Sequence, residues 1–161
     1  MSNSQHPAQS TRRTFLGTTT VAATALGSAE LVYGDHHKGK PLRFAQIGCG
    51  GKGSSDLNNT VSSGGTLIAM CDVDQGRAGA HFNKYKDVPR YSDYREMLAK
   101  HKDEIDAVVV STPDHVHAVA ALAAMKLGKH VYVQKPLART YGECMALLEA
   151  TKKYKVVTQM G

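Results

Sequence analysis

Cysteine is scarce in this 161-residue chain, with three copies at Cys49, Cys71 and Cys144. An odd number without C-x-x-C spacing excludes a disulfide framework and a thiolate zinc site, and leaves three small residues suited to a buried place. Tryptophan is absent, and aromatic residues make up only 6% of the chain. The lysines are scattered, without interleaved aromatics or a basic helix face, so nucleic-acid binding is not expected despite a formal net charge of +6. Long apolar runs are also missing. The mildly apolar stretch from Gly17 to Leu26, rich in threonine and glycine, is too short to cross a hydrocarbon core of roughly 30 Å, which excludes a stable membrane span there.

What surrounds that stretch is informative. Thr11-Arg12-Arg13-Thr14-Phe15-Leu16 is a twin-arginine pattern, and Gly27-Ser28-Ala29 offers small residues to a signal peptidase. The expectation is a twin-arginine signal peptide over residues 1–29 and a periplasmic destination; the other reading is a basic tail. Cutting after Ala29 would remove two arginines and no acids, lowering the formal charge from +6 to +4. Residues 30–40 read as a linker. His36-His37 within it lacks a third ligand nearby, so no metal site is expected.

The most informative stretch follows. Gly48-Cys49-Gly50-Gly51-Lys52-Gly53 spells G-x-G-x-x-G directly after the strand-like run from Leu42 to Ile47. Gly48 suits a tight turn, Gly50 lets backbone approach a pyrophosphate, and Gly53 lets the next helix lie close to the strand, with Gly51 and Lys52 between them at the helix start. A second strand-like run, Thr66 to Cys71, delivers Asp72, about 20 residues beyond the last glycine, where a carboxylate can accept hydrogen bonds from both ribose hydroxyls. This pattern points to a bound dinucleotide. NAD is expected over NADP, because Asp72 would repel a 2′-phosphate. Export in the folded state suits a chain that must acquire such a cofactor in the cytoplasm.

Strands and helices alternate through the rest of residues 41–161. Helices are expected over about 52–62, 75–85, 93–101, 115–127 and 141–154, with strands at 42–47, 66–71, near 90–91, 107–111, 131–134 and 156–159. Alternation implies parallel pairing with right-handed crossovers, and the continuously apolar Ala107-Val108-Val109-Val110 fits a strand covered on both faces. The expected fold is therefore α/β, a doubly wound parallel sheet. Thr112 is placed to cap the following helix with Pro113 at its first position, and Gly128 to end it. Ligands of such sheets lie beyond the carboxyl ends of the strands, which here carry the glycine turn, Asp72, Ser111-Thr112-Pro113 and Gln134-Lys135-Pro136.

Lys135 carries the most chemistry among these. Pro136 fixes the turn after it, and its ammonium could donate to a substrate hydroxyl or carbonyl; the plainer alternative is a strand-end lysine that reaches solvent. His115 and His117, two apart at a helix start, cannot share a face, which argues against a joint metal site, although one of them could face the cleft. Asp74 reads as a helix cap rather than a ribose partner.

These signatures together resemble the nucleotide-binding Rossmann domain of the Gfo/Idh/MocA oxidoreductases. The likeness spans Pro41 to Gly161 and rests on Cys71-Asp72-Val73-Asp74, Tyr91-Ser92-Asp93-Tyr94-Arg95-Glu96-Met97-Leu98, Ser111-Thr112-Pro113-Asp114-His115-Val116-His117 and Gly128 to Leu137. It implies that Lys135 belongs to the family's Glu-Lys-Pro signature, beside the nicotinamide and substrate, as the catalytic residue. It also implies cofactor contacts from Gly48, Gly50, Gly51, Lys52, Gly53, Asp72, Ser111, Thr112, Pro113, His117 and Gln134, and a sugar or polyol as substrate. Two departures stand out. Gln134 replaces the commoner glutamate, and the sequence stops at Gly161 as the sixth strand closes, so the second, substrate-binding domain of the family is expected to be missing. The chain is expected to bind dinucleotide without turnover unless that domain is supplied. A non-catalytic nucleotide-binding or subunit-pairing module is the alternative; a methyltransferase site would leave Gln134-Lys135-Pro136 unexplained.

Overall fold

The computed structural model describes residues 39–161, so the expected signal peptide, His36-His37 and most of the linker lie outside the described residues. From Lys40 onward the chain forms one compact unit. Its elements in chain order are β1 (Arg43–Ile47), α1 (Lys52–Ser62), β2 (Thr66–Cys71), α2 (Gln75–Lys84), β3 (Arg90–Tyr91), α3 (Tyr94–His101), β4 (Ala107–Val110), α4 (Asp114–Lys126), β5 (His130–Val133), α5 (Tyr141–Tyr154) and β6 (Thr158–Met160). The six strands are all parallel and lie in the order β3-β2-β1-β4-β5-β6. This is the doubly wound sheet expected from the alternation.

Strand periodicity divides the core between the two faces. Ala45 and Ile47 of β1 and Val108 and Val110 of β4 point to one face, where they pack with α3, α4 and α5 through Met97, Leu98, Ala120, Ala121, Met125 and Leu147. The opposite face holds Met70 of β2 with Leu57 of α1 and Ala78 and Phe82 of α2. On that second side Ala107 and Val109 of β4 cluster with Phe44 of β1, and all four residues of β4 are buried. Burying each such side chain contributes about 1.5–3 kcal/mol, which is why an alternating polar pattern is not needed in this strand. The alanines of α4 at 118, 120, 121 and 124, each at most 2% exposed, let that helix lie close against the sheet.

Three local expectations need correction. Helix α4 begins at Asp114 with Pro113 at the N-cap and no side-chain cap, so Thr112 is not its cap. The Thr112 carbonyl instead faces the Nε2 of His117, one turn into the helix. Strand β6 starts at Thr158 rather than Val156, because α5 ends in a left-handed Lys155 (φ 52°) and the chain needs two more residues to reach its pairing with Val131. Cys144 is half-buried, unlike Cys49 and Cys71, which are in the core. Asp74 does cap α2, its side chain accepting from the N–H groups of Gly76 and Arg77.

Candidate functional site

At the centre of the sheet β1 lies between β2 and β4, and the crossovers leave it toward opposite faces, so a crevice opens beyond its carboxyl end. A cleft of about 670 Å³ occupies that position, lined among others by Gly48, Gly50, Asp72, Arg77, Thr112 and His115. That volume falls within the usual range for small-molecule and cofactor pockets, roughly 300–1,000 Å³.

One wall is the glycine turn. Gly48 has φ +85°, and a Cβ there would stand 2.5 Å from the Ser111 carbonyl oxygen. Gly51, the N-cap of α1, also has a positive φ of 53°. A Cβ at Gly53 would stand 2.1 Å from the Gly48 carbonyl oxygen, so α1 can dock here only on a residue without a side chain. Gly50 is confined from a second direction, since its Cβ would meet Cβ of Arg77 at 2.9 Å. The turn is tied to β2 by the Gly48 N–H, which donates to the Cys71 carbonyl at 2.8 Å.

Asp72 stands at the end of β2 against this turn. Its Oδ2 accepts from the backbone N–H groups of Cys49 (2.7 Å) and Gly50 (3.2 Å), and its Oδ1 accepts from the Asp74 N–H (2.9 Å). A carboxylate has about four acceptor sites, so these bonds fix its orientation and leave capacity for a ligand hydroxyl. Beneath the turn, burial pushes the thiols of Cys49 and Cys71 up to about 12, with the charge of Asp72 acting in the same direction.

On the β4 and β5 side, polar side chains converge on Asp56 of α1, which is 5% exposed. Its Oδ1 accepts from Lys52 Nζ (2.7 Å) and Gln134 Nε2 (3.1 Å), and its Oδ2 accepts from Ser111 Oγ (2.7 Å). Gln46, fully buried in β1, donates to the Gly48 carbonyl (2.8 Å) and to Ser111 Oγ (3.3 Å). Lys52, Ser111 and Gln134 therefore meet one another through Asp56. The bond to Asp56 favours the charged form of Lys52.

The other expected residues divide clearly. Thr112 and Pro113 line the cleft, and the Thr112 hydroxyl is buried without a partner among the described residues. Of the two histidines, His115 lines the cleft and is exposed. His117 is 1% exposed and lies behind it, its Nδ1 2.7 Å from the Pro136 carbonyl and its Nε2 2.7 Å from that of Thr112, joining the two loops. Lys135 is exposed at the end of β5, and its backbone N–H donates to Gln134 Oε1 (3.2 Å). Two residues were not anticipated. Asp56 could have been noticed as the i+4 partner of Lys52, and Arg77, a cation in the cleft wall that forms no ion pair among the described residues, as a basic residue in the first turn of α2. No cluster of potential metal ligands occurs among the described residues.

The residues present suit a dinucleotide. The glycine turn opens on the N-terminus of α1, where helix dipole and backbone N–H groups favour phosphate; Arg77 adds a cation, and the Thr112 hydroxyl has no partner among the described residues. Comparison with known proteins agrees. Residues 42–161 match the model of the Gfo/Idh/MocA family, described as "Oxidoreductase family, NAD-binding Rossmann fold". An inositol 2-dehydrogenase of Salmonella typhimurium is 34% identical over 125 residues, covering 74% of this chain and 36% of its own length. A glycosyl hydrolase family 109 protein of Solibacter usitatus is 38% identical over 127 residues, covering 70% of this chain and 29% of its own. The crystal structure of myo-inositol 2-dehydrogenase from Lactobacillus plantarum superposes with a TM-score of 0.68 at 28% identity, over 76% of this chain and 36% of that one. The chain thus spans about a third of the length of the relatives it matches.

Proposed function

Because the chain belongs to the Gfo/Idh/MocA oxidoreductases and carries their NAD-binding Rossmann fold, we propose that its cleft binds NAD(H) and that the protein serves hydride transfer on a sugar or polyol. The observation that carries the cofactor part is Asp72, oriented by the Cys49 and Gly50 N–H groups at the edge of the glycine turn. A carboxylate held there accepts from ribose hydroxyls and opposes a 2′-phosphate. The nicotinamide would supply the hydride chemistry when bound. The chain's own part is to hold the phosphates on the turn and α1, to engage the ribose through Asp72, and to offer the Lys135 ammonium to a substrate oxygen.

The substrate class rests on the relatives, since both an inositol dehydrogenase and a glycosyl hydrolase handle polyhydroxylated rings. A ring hydroxyl needs a partner that can give or take its proton as hydride moves, and Lys135 beyond β5 is chemically suited to that task. Export by the twin-arginine route is part of the proposal and rests on the Thr11 to Leu16 pattern, the mildly apolar stretch from Gly17 to Leu26 and the small residues Gly27-Ser28-Ala29. One preparation tests these points. The full chain, expressed in a host with that export route, should be recovered from the periplasm and should bind NADH at least about tenfold more tightly than NADPH by titration calorimetry. Equal affinity for the two, or no binding, would overturn the cofactor assignment, and retention in the cytoplasm the export assignment.

A further inference from the structure

Asp56 and Gln134 come from elements far apart in sequence, yet their side chains meet in the interior, each 5% exposed. The orientation of the Gln134 amide follows from its partners. Its Nε2 donates to Asp56 Oδ1 (3.1 Å) and to the Tyr132 hydroxyl (3.3 Å), while its Oε1 accepts from the Lys135 backbone N–H (3.2 Å). Turned over, the amide would set oxygen against carboxylate and N–H against N–H. Gln134 thus serves as donor on one side and acceptor on the other, which an ionised glutamate cannot do.

We propose that Asp56 is a positioning residue for the Lys135 turn, and that positions 56 and 134 together hold one buried negative charge. Asp56 acts through two routes: Gln134 to the Lys135 backbone, and Ser111 to the loop that carries Thr112. The charged and titratable groups facing the pair are Lys52 of α1, 2.7 Å from Asp56 Oδ1, Tyr132 of β5, and the terminal Gly161 after β6, which stands against Gln134 Nε2. One ammonium balances one carboxylate. A second carboxylate at position 134 would face the first at hydrogen-bond distance, where two acids cannot both ionise without strong repulsion. A glutamine at this position thus fits an aspartate 78 residues earlier in the chain.

The proposal rests on the dinucleotide reading only for the meaning of the Lys135 turn, and thermal unfolding tests the pair independently of any ligand. The full chain is compared with Gln134→Glu, Asp56→Asn and the double variant from about pH 5 to about pH 8. With Asp56 opposite, an introduced glutamate should keep its proton at the lower pH and donate it to Asp56, and must ionise or hold that proton at a cost at the higher. Gln134→Glu should therefore lower the unfolding midpoint by about 10 °C or more at about pH 8, with the loss shrinking toward about pH 5. Adding Asp56→Asn should recover at least half of that loss and flatten the pH profile, since the pair again holds one charge. A loss that does not change with pH, or a double variant less stable than both singles, would overturn the proposal. If Gln134→Glu does not fold at all, the double variant decides: a folded protein supports the shared charge, and an unfolded one refutes it. NADH titration of the same proteins separates the two readings, because absence of binding by the parent chain would refute the dinucleotide site while leaving the thermal comparison intact.

Discussion

The glycine turn that walls the cleft beside β1 and β2 is held by backbone, whereas the network around Asp56, between α1, β4 and β5, is held by side chains. On the first side the Gly48 N–H reaches the Cys71 carbonyl, and the Cys49 and Gly50 N–H groups reach Asp72. The geometry there depends on missing side chains, and nothing can rotate away when one is added. On the second side Lys52, Ser111 and Gln134 meet through one carboxylate, and Lys135 extends beyond them into solvent. Rotamers can adjust there. The first arrangement suits a rigid phosphate cradle; the second lies beneath the loop of Lys135, the lysine proposed to meet a substrate oxygen.

Three substitutions would sharpen or break this contrast. The largest effect is expected from Gly53→Ala, because the new Cβ would lie 2.1 Å from the Gly48 carbonyl oxygen and push α1 off the strand. Urea unfolding should register a loss of about 3 kcal/mol; a loss under about 1 kcal/mol would mean that the turn can yield after all. Next comes Asp72→Ala, which removes a charged acceptor from the cleft and leaves the Cys49 and Gly50 N–H groups without their partner. NADH affinity should fall by about 10- to 100-fold in calorimetry. An unchanged affinity would shift the weight of recognition to Arg77 and the turn. The smallest effect belongs to Lys135→Met. An exposed residue whose ammonium has no partner within the described residues should change stability by no more than about 0.5 kcal/mol, and NADH affinity by no more than about threefold. A larger thermal effect would show that the lysine is anchored as firmly as the glycines.

The same contrast explains what was legible in the sequence. The glycine turn and Asp72 could be read directly, because their constraints are local: a six-residue motif after one strand, and an acid at the end of the next. The apolar run at Ala107 to Val110 likewise announced a strand covered on both faces. The polar network could not be read, because Ser111 and Gln134 reach Asp56 across 55 and 78 residues. His117 illustrates the limit well. Position at a helix start leaves open which of His115 and His117 faces the cleft, and the family resemblance implies His117; the rotation of α4 turns His117 inward to two carbonyls and presents His115. Thr112 was assigned to a cap on spacing alone, whereas Pro113 takes the N-cap and leaves the Thr112 hydroxyl unused by the helix. The start of β6 was missed because nothing local marks Lys155 as left-handed; glycine would have done so.

The two thiols beneath the cradle have a consequence for durability. With Cys49 and Cys71 pushed up to about 12 by burial, the thiolate, the form that oxidants and alkylating reagents attack, is strongly disfavoured on both at neutral pH. The floor of the phosphate cradle is therefore chemically quiet. Thiol-directed reagents are expected to spare the surface on which the phosphates would rest.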